Sequence, residues 1–230
     1  MVEKGVAWGR PAAGPPDVEV AGGDAALAAA LADHERPRVW FRPDDASDLA
    51  RAIGLAPDVR DPGNRPDPEV PGATELALDA LAVETPEGAV SLAVNAVVLG
   101  TAPDRQRRWS RATPVRVTVD DRTIHEGPAS AVVVATGEFL RGADLAPRGH
   151  PGDGRAEVQV YCLRPGERAG MRARLPTGSH LPHPRIRTAT GRRVVVRARR
   201  PMAVELDGKP APGVLAMTVE VVPEAFSVLV

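Results

Sequence analysis

The chain has 230 residues, 43% of them hydrophobic and 3% aromatic, with a formal net charge of −1. That is enough for one large domain or two small ones with a core needing no metal or disulfide staple, and the single cysteine, Cys162, excludes an internal disulfide and fits a reducing, cytoplasmic setting. No apolar run approaches the roughly 20 residues that span a bilayer, residues 1–16 lack the apolar stretch of a secretory leader, and near-neutral charge with few aromatic rings argues against nucleic acid. The charge is unevenly spread. Residues 1–104 hold 18 acids and 8 bases, residues 105–230 hold 12 acids and 21 bases, and such asymmetry predicts two different surfaces.

Residues 17–21 read as a short strand, and Gly22-Gly23 as a tight turn. The alanine- and leucine-rich run 25–32 reads as a helix that Asp24 can cap. Residues 38–41 form a second strand, 42–47 a turn, and 48–53 a second helix stopped by Gly54. Strands alternating with helices predict a parallel α/β layer. Residues 59–74 carry Pro62, Pro66, Pro68, Pro71, Gly63 and Gly72 and read as a linker or irregular loop. From about residue 75 the pattern changes to valine-rich or alternating strands at 75–84, 89–99, 113–120, 129–136, 156–163, 193–199, 202–207, 214–222 and 225–230. The expected fold class is α+β: a small, truncated parallel α/β layer followed by a large antiparallel β-sandwich-like domain. The expected domains are residues 1–58, a linker at 59–74, and 75–230, with the last strands returning to the first domain.

Several side chains are candidates for chemistry, each with a plain structural alternative. Asp24 is a ligand contact or a helix cap. Asp44, Asp45 and Asp48 form either a cation site, since hard cations take clustered carboxylates, or a solvated turn with a cap. Asp153 is a general base or the first residue of an Asp-Gly turn. His180 and His183 are too few for zinc with only Cys162 to help, and read as a surface loop. Cys162, in an apolar strand, reads as a small buried hydrophobe. Eleven arginines between residues 164 and 200 face only Glu167; they are the solvent face of strands or a surface for anionic lipid headgroups.

In order along the chain, several short motifs resemble the diacylglycerol and sphingosine kinase family, whose fold is related to NAD kinases. Gly22-Gly23-Asp24-Ala25-Ala26 stands where that family has Gly-Gly-Asp-Gly-Thr. Asp44-Asp45-Ala46-Ser47-Asp48 precedes Leu49-Ala50-Arg51-Ala52-Ile53-Gly54, which is similar to the family's Phe/Leu-Ala-Arg-Ala-Leu-Gly. The run Val94-Asn95-Ala96-Val97-Val98-Leu99-Gly100, the turn Arg141-Gly142-Ala143, the stretch from Leu145 to Gly154, Gly178-Ser179-His180 and Leu206-Asp207-Gly208-Lys209 follow in family order. The resemblance implies a nucleotide-binding α/β domain beside a β-sandwich, with ATP and Mg as cofactors and transfer of the γ-phosphate to a lipid hydroxyl. It implies Asp153 as catalytic base and Gly22, Gly23, Asp24 and Asp48 as cofactor-binding residues.

The departures from that pattern bear on the chemistry. Ala25 replaces a glycine, so a Cβ stands where backbone approaches phosphate and any φ > 0 becomes costly. Asp44 and Asp45 place carboxylates where a phosphate would sit. Only about 17 residues precede the first strand, where the family places further β-α units. Three readings follow: a lipid kinase of weak or lost activity, a non-catalytic descendant that binds lipid or protein, and a homodimer that covers an exposed sheet edge.

Overall fold

The computed structural model describes residues 8–57 and 73–230. In chain order these form β1 (Arg10–Pro11), β2 (Val18–Gly22), α1 (Asp24–Leu31), β3 (Arg38–Pro43) and α2 (Asp48–Ala52). There follow β4 (Thr74–Glu84), β5 (Val90–Ala93), β6 (Ala96–Gly100), a 3-10 turn (Pro103–Arg105), β7 (Thr113–Val119), β8 (Arg122–Ala129) and β9 (Ala131–Ala135). The rest are β10 (Phe139–Leu140), β11 (Ala143–Asp144), β12 (Ala156–Tyr161), α3 (Arg168–Arg174), a second 3-10 turn (Leu175–Thr177), β13 (Ile186–Gly191), β14 (Arg193–Leu206) and β15 (Lys209–Leu229).

Thirteen of these strands hydrogen-bond into one continuous sheet whose main path runs β1-β4-β15-β14-β6-β9-β12-β13, while β10 and β11 pair separately. Apart from β2–β3 and β3–β15, the pairings are antiparallel. The α+β class expected from the sequence is therefore the observed one: a small parallel layer joined to a large antiparallel sandwich. The valines explain the sandwich. Val115, Val117 and Val119 on β7, Val194 and Val196 on β14, and Val158 and Val160 on β12 point into one core with Leu81, Leu99 and Met217. Branched side chains at every second position are the pattern a half-buried pleat requires. On β9 all five residues are buried, because one face joins that core. Its other face packs with Tyr161, Met171, Leu175 and Ile186 in a second cluster, and a strand covered on both faces reads as an unbroken apolar run.

The end of β15 leaves the sandwich and lies parallel to β3, with Ser227 opposite Arg38 and Val228 opposite Val39. It brings Phe226 and Val228 into a third cluster with Leu27, Leu31, Phe41 and Leu49. The small layer thus completes its core with side chains from the other end of the chain.

Four local expectations differ from what is observed. The segments at 193–199 and 202–207 are one strand, β14, with register shifts between Arg197 and Met202 and between Met202 and Val204. Those at 214–222 and 225–230 are likewise one strand, β15, with a register shift between Val222 and Phe226. An irregularity that keeps the ladder going looks like a break in the alternation. Strands β8 and β13 and helix α3 are additional, because their arginines, threonines and glycines carry little apolar pattern. Finally, 89–99 is two strands divided at Val94-Asn95. Of the linker expected at 59–74, residues 59–72 lie outside the described residues; Ala73 is buried and Thr74 opens β4.

Candidate functional site

The two short helices start side by side. At the end of β2, Gly22 adopts φ +119, a conformation that side chains resist and glycine accepts. The chain then turns through Gly23, the N-cap of α1, and Asp24 is the first residue of that helix. Ala25 follows within α1 and is not among the positive-φ residues. The expected backbone penalty for Ala25 therefore does not arise, because the left-handed position is Gly22.

Asp24 does not cap its own helix. Its carboxylate crosses to α2, where Oδ1 accepts the Ser47 hydroxyl at 2.5 Å and Oδ2 accepts the N–H groups of Asp48 and Leu49, each at 3.1 Å. Ser47 Oγ in turn accepts the Ala50 N–H at 3.0 Å and is the N-cap of α2. One carboxylate and one hydroxyl thus satisfy several of the donors that a helix start leaves without partners. Burial of Asp24 pushes its pKa up to about 7, against the pull of the Ser47 and Leu49 hydrogen bonds and with help from the charges of Asp207 and Asp48.

Asp48 passes the connection onward. It accepts the Arg141 N–H, and the Gly142 N–H at 2.7 Å. Arg141 and Gly142 both have positive φ and link β10 to β11, the geometry of a two-residue hairpin turn. Asp207 and Gly208 make a similar turn between β14 and β15. There the Asp207 carboxylate accepts three successive backbone N–H groups, from Val94 at 2.8 Å, Asn95 at 2.9 Å and Ala96 at 2.9 Å. Burial raises the Asp207 pKa despite those donors. This bond set explains why β5 and β6 are separate: at residues 94–96 the amides turn to a carboxylate.

Between these elements lies a cleft of about 500 Å³ lined by Gly22, Gly23, Asp24, Asp44, Asp48, Asn95, Arg141, Asp207 and Lys209, among others. Asp44 Oδ1 accepts the Ala46 N–H at 2.9 Å. Asn95 is 1% exposed, donates from Nδ2 to the Phe139 carbonyl at 3.0 Å, and has no partner for Oδ1. The Arg141 guanidinium is held by Asp104 at 3.0 and 3.1 Å and by Glu205 at 3.0 Å. Burial disfavours its charge, yet the two carboxylates keep its pKa above the ordinary value. Lys209 is exposed.

Of the sequence candidates, the fold therefore brings Gly22, Gly23, Asp24 and Asp48 to one cleft, with Asp44. Asp153 lies elsewhere and does not line it. Its Oδ1 accepts the Arg155 N–H at 2.9 Å in a local turn. Beside that turn, buried Asp79 accepts the N–H groups of Gly154 at 2.7 Å and Glu224 at 3.0 Å, and Trp8 meets His150 edge to face, ring centroids 4.6 Å apart. Burial raises the Asp79 pKa, and Asp153 adds to the effect. Asn95, Arg141 and Asp207 were visible in the sequence only as parts of motifs. Among the described residues no group of three or more His, Cys, Asp or Glu side chains is arranged to hold a metal ion, and no helix is long and apolar enough to cross a membrane. His180 is buried in its loop, with neither ring nitrogen hydrogen-bonded, rather than exposed on the surface.

Comparison with known proteins agrees with this architecture. A family model described as the YegS C-terminal NAD kinase beta sandwich-like domain matches residues 79–230. Among solved structures, a diacylglycerol kinase from Bacillus anthracis str. Sterne superposes with a TM-score of 0.68 at 16% identity, over 92% of this chain and 77% of that one. Yeast NADH kinase, complexed with NADH, superposes with a TM-score of 0.53 at 13% identity, over 93% of this chain and 61% of that one. No curated protein matches the sequence.

Proposed function

The chain belongs to the family of YegS C-terminal NAD kinase beta sandwich-like domains, and from that premise we propose that it is a diacylglycerol-kinase-like protein whose phosphoryl-transfer activity is lost, so that it works by binding. The observation that carries this reading is the use made of the cleft carboxylates. Phosphoryl transfer is chiefly positioning plus neutralisation of phosphate charge. Here Asp24, Asp48 and Asp207 already accept from two, two and three backbone amides respectively. Asp24 gives both oxygens to two amides and the Ser47 hydroxyl, so a cation there would displace buried donors, and each amide held by Asp48 and Asp207 takes a lone pair that a cation would otherwise use. Asp44 adds a fourth carboxylate to the same volume, and of the two cations that line it among the described residues Arg141 is committed to Asp104 and Glu205. The start of α1 could receive an anion on its own, but Asp44 and Asp48 place carboxylates beside it, which repel a polyphosphate. The residues present do not fit ATP with Mg.

Thermal unfolding with and without millimolar Mg-ATP tests the reading. A ligand at about 100 times its Kd would add roughly 2.7 kcal/mol; the expected result is no shift. A clear rise in Tm, or phosphate transfer to diacylglycerol vesicles, would overturn it. One observation favours that second, catalytic reading: Asn95, which lines the cleft, keeps a buried Oδ1 with no hydrogen-bond partner.

A further inference from the structure

Away from the cleft, Arg107-Arg108-Trp109-Ser110-Arg111 leads into β7. Trp109 is 77% exposed, the most exposed of the large hydrophobic side chains among the described residues. Arg107, Arg108 and Arg111 are exposed around it. Among the described residues, no ion pair takes any of the three arginines. The nearby acids are engaged elsewhere: Asp104 pairs with Arg141, and Glu205 pairs with Arg105 and Arg141.

The loop is built to hold this display. Arg168, on α3, is 4% exposed. Its Nη1 donates to the carbonyls of Arg107 at 2.9 Å, Arg108 at 3.0 Å and Ser110 at 2.7 Å. Ser110 closes the turn, donating its N–H to the Arg107 carbonyl at 3.0 Å and accepting the Arg107 N–H on Oγ at 2.8 Å. A buried guanidinium bonded to backbone carbonyls is costly by itself. What it secures is a turn whose carbonyls face inward while one indole and three guanidinium groups stay in solvent.

We propose that residues 107–111 dock the chain on an anionic phospholipid surface, with Trp109 seated at the headgroup level and Arg107, Arg108 and Arg111 on the lipid phosphates. The indole combines an apolar body with one N–H, which suits the boundary between headgroups and acyl chains. Guanidinium groups bind phosphate in a bidentate manner, and the negative surface potential of such a membrane attracts them. Single-stranded nucleic acid is the poorer fit, because it is held by a row of aromatic platforms along a basic groove. None of residues 107–111 lines the cleft, and docking through them needs no nucleotide there.

Co-sedimentation of the full chain with vesicles of phosphatidylcholine alone, or with about a third phosphatidylglycerol, tests it. The expected result is binding to the anionic vesicles only, weakened by salt. Trp109→Ala should weaken it by about tenfold, the loss of one interfacial ring. The triple variant Arg107→Glu, Arg108→Glu, Arg111→Glu should weaken it on the order of 100-fold or more. All four side chains are exposed, so the variants should melt as the parent does. Failure of the parent to bind anionic vesicles, equal binding by the variants, or a preference for single-stranded RNA in competition would each overturn the proposal.

Discussion

The sandwich core is valine against valine, whereas the polar junction of helix starts and turns around the cleft is made of aspartates against backbone amides. Inside the sandwich, Val117, Val134, Val158 and Val194 are all fully buried in one apolar cluster. At the junction, Asp24 joins α1 to α2, Asp48 joins α2 to the β10–β11 turn, and Asp207 joins the β14–β15 turn to residues 94–96. Asp79 does the same for residues 154 and 224. The two regions fail differently. A core that loses a methyl group keeps its pattern and gains a cavity. A junction that loses a carboxylate leaves several buried donors without an acceptor.

Substitutions can break or sharpen this contrast. The largest loss is expected in the sandwich: Leu81→Ala, at a fully buried position, should cost about 3–4 kcal/mol in denaturant unfolding. Asp207→Ala should follow at about 2–3 kcal/mol, because three amides lose their acceptor. Asp207→Asn should fall between it and the parent. If Asp207→Ala costs no more than a surface change, the polar account of the junction is wrong. Ser47→Ala removes a cap and the partner of Asp24, and about 1 kcal/mol is expected.

The smallest effect should have the opposite sign. Burial pulls the His180 pKa down to about 4, with His183 adding to the effect, and both ring nitrogens lack partners. His180→Leu should be neutral or stabilising by up to about 1 kcal/mol at pH 7. The pH dependence is distinctive. The His180 pKa is depressed on folding, so its contribution to stability is lost as pH falls from about 6.5 to about 4. The Asp24 pKa is raised on folding, so its favourable contribution is fully present below about 3.8 and is lost as pH rises through about 7. The two oppose each other on mild acidification. Relative to the parent, His180→Leu should therefore gain stability as the pH falls from 6.5 to 4, measurable as a Tm difference that widens toward acid.

Much of the architecture was legible from residue order. Alternating valines marked the sandwich strands, Gly54 ended α2, and the Asp207-Gly208 pair is a standard hairpin signal. The ordered short motifs also carry the family resemblance that the family model bears out. The cleft was half legible: Gly22, Gly23, Asp24 and Asp48 were chosen from a motif and do share one cleft. Their bonding is not legible: by sequence Asp24 is a ligand contact or a cap of its own helix, whereas its carboxylate caps the next one.

The residue order by itself determined the local structure, since alternation, caps and turns act over two to five neighbouring residues. Tertiary structure alone decided which amides each buried aspartate answers. Asp24 reaches Ser47 across 23 residues, Asp48 reaches Gly142 across 94, and Asp207 reaches Val94 across 113. A carboxylate is chosen as a partner by where folding leaves unsatisfied amides in the absence of water, and no local pattern records that position.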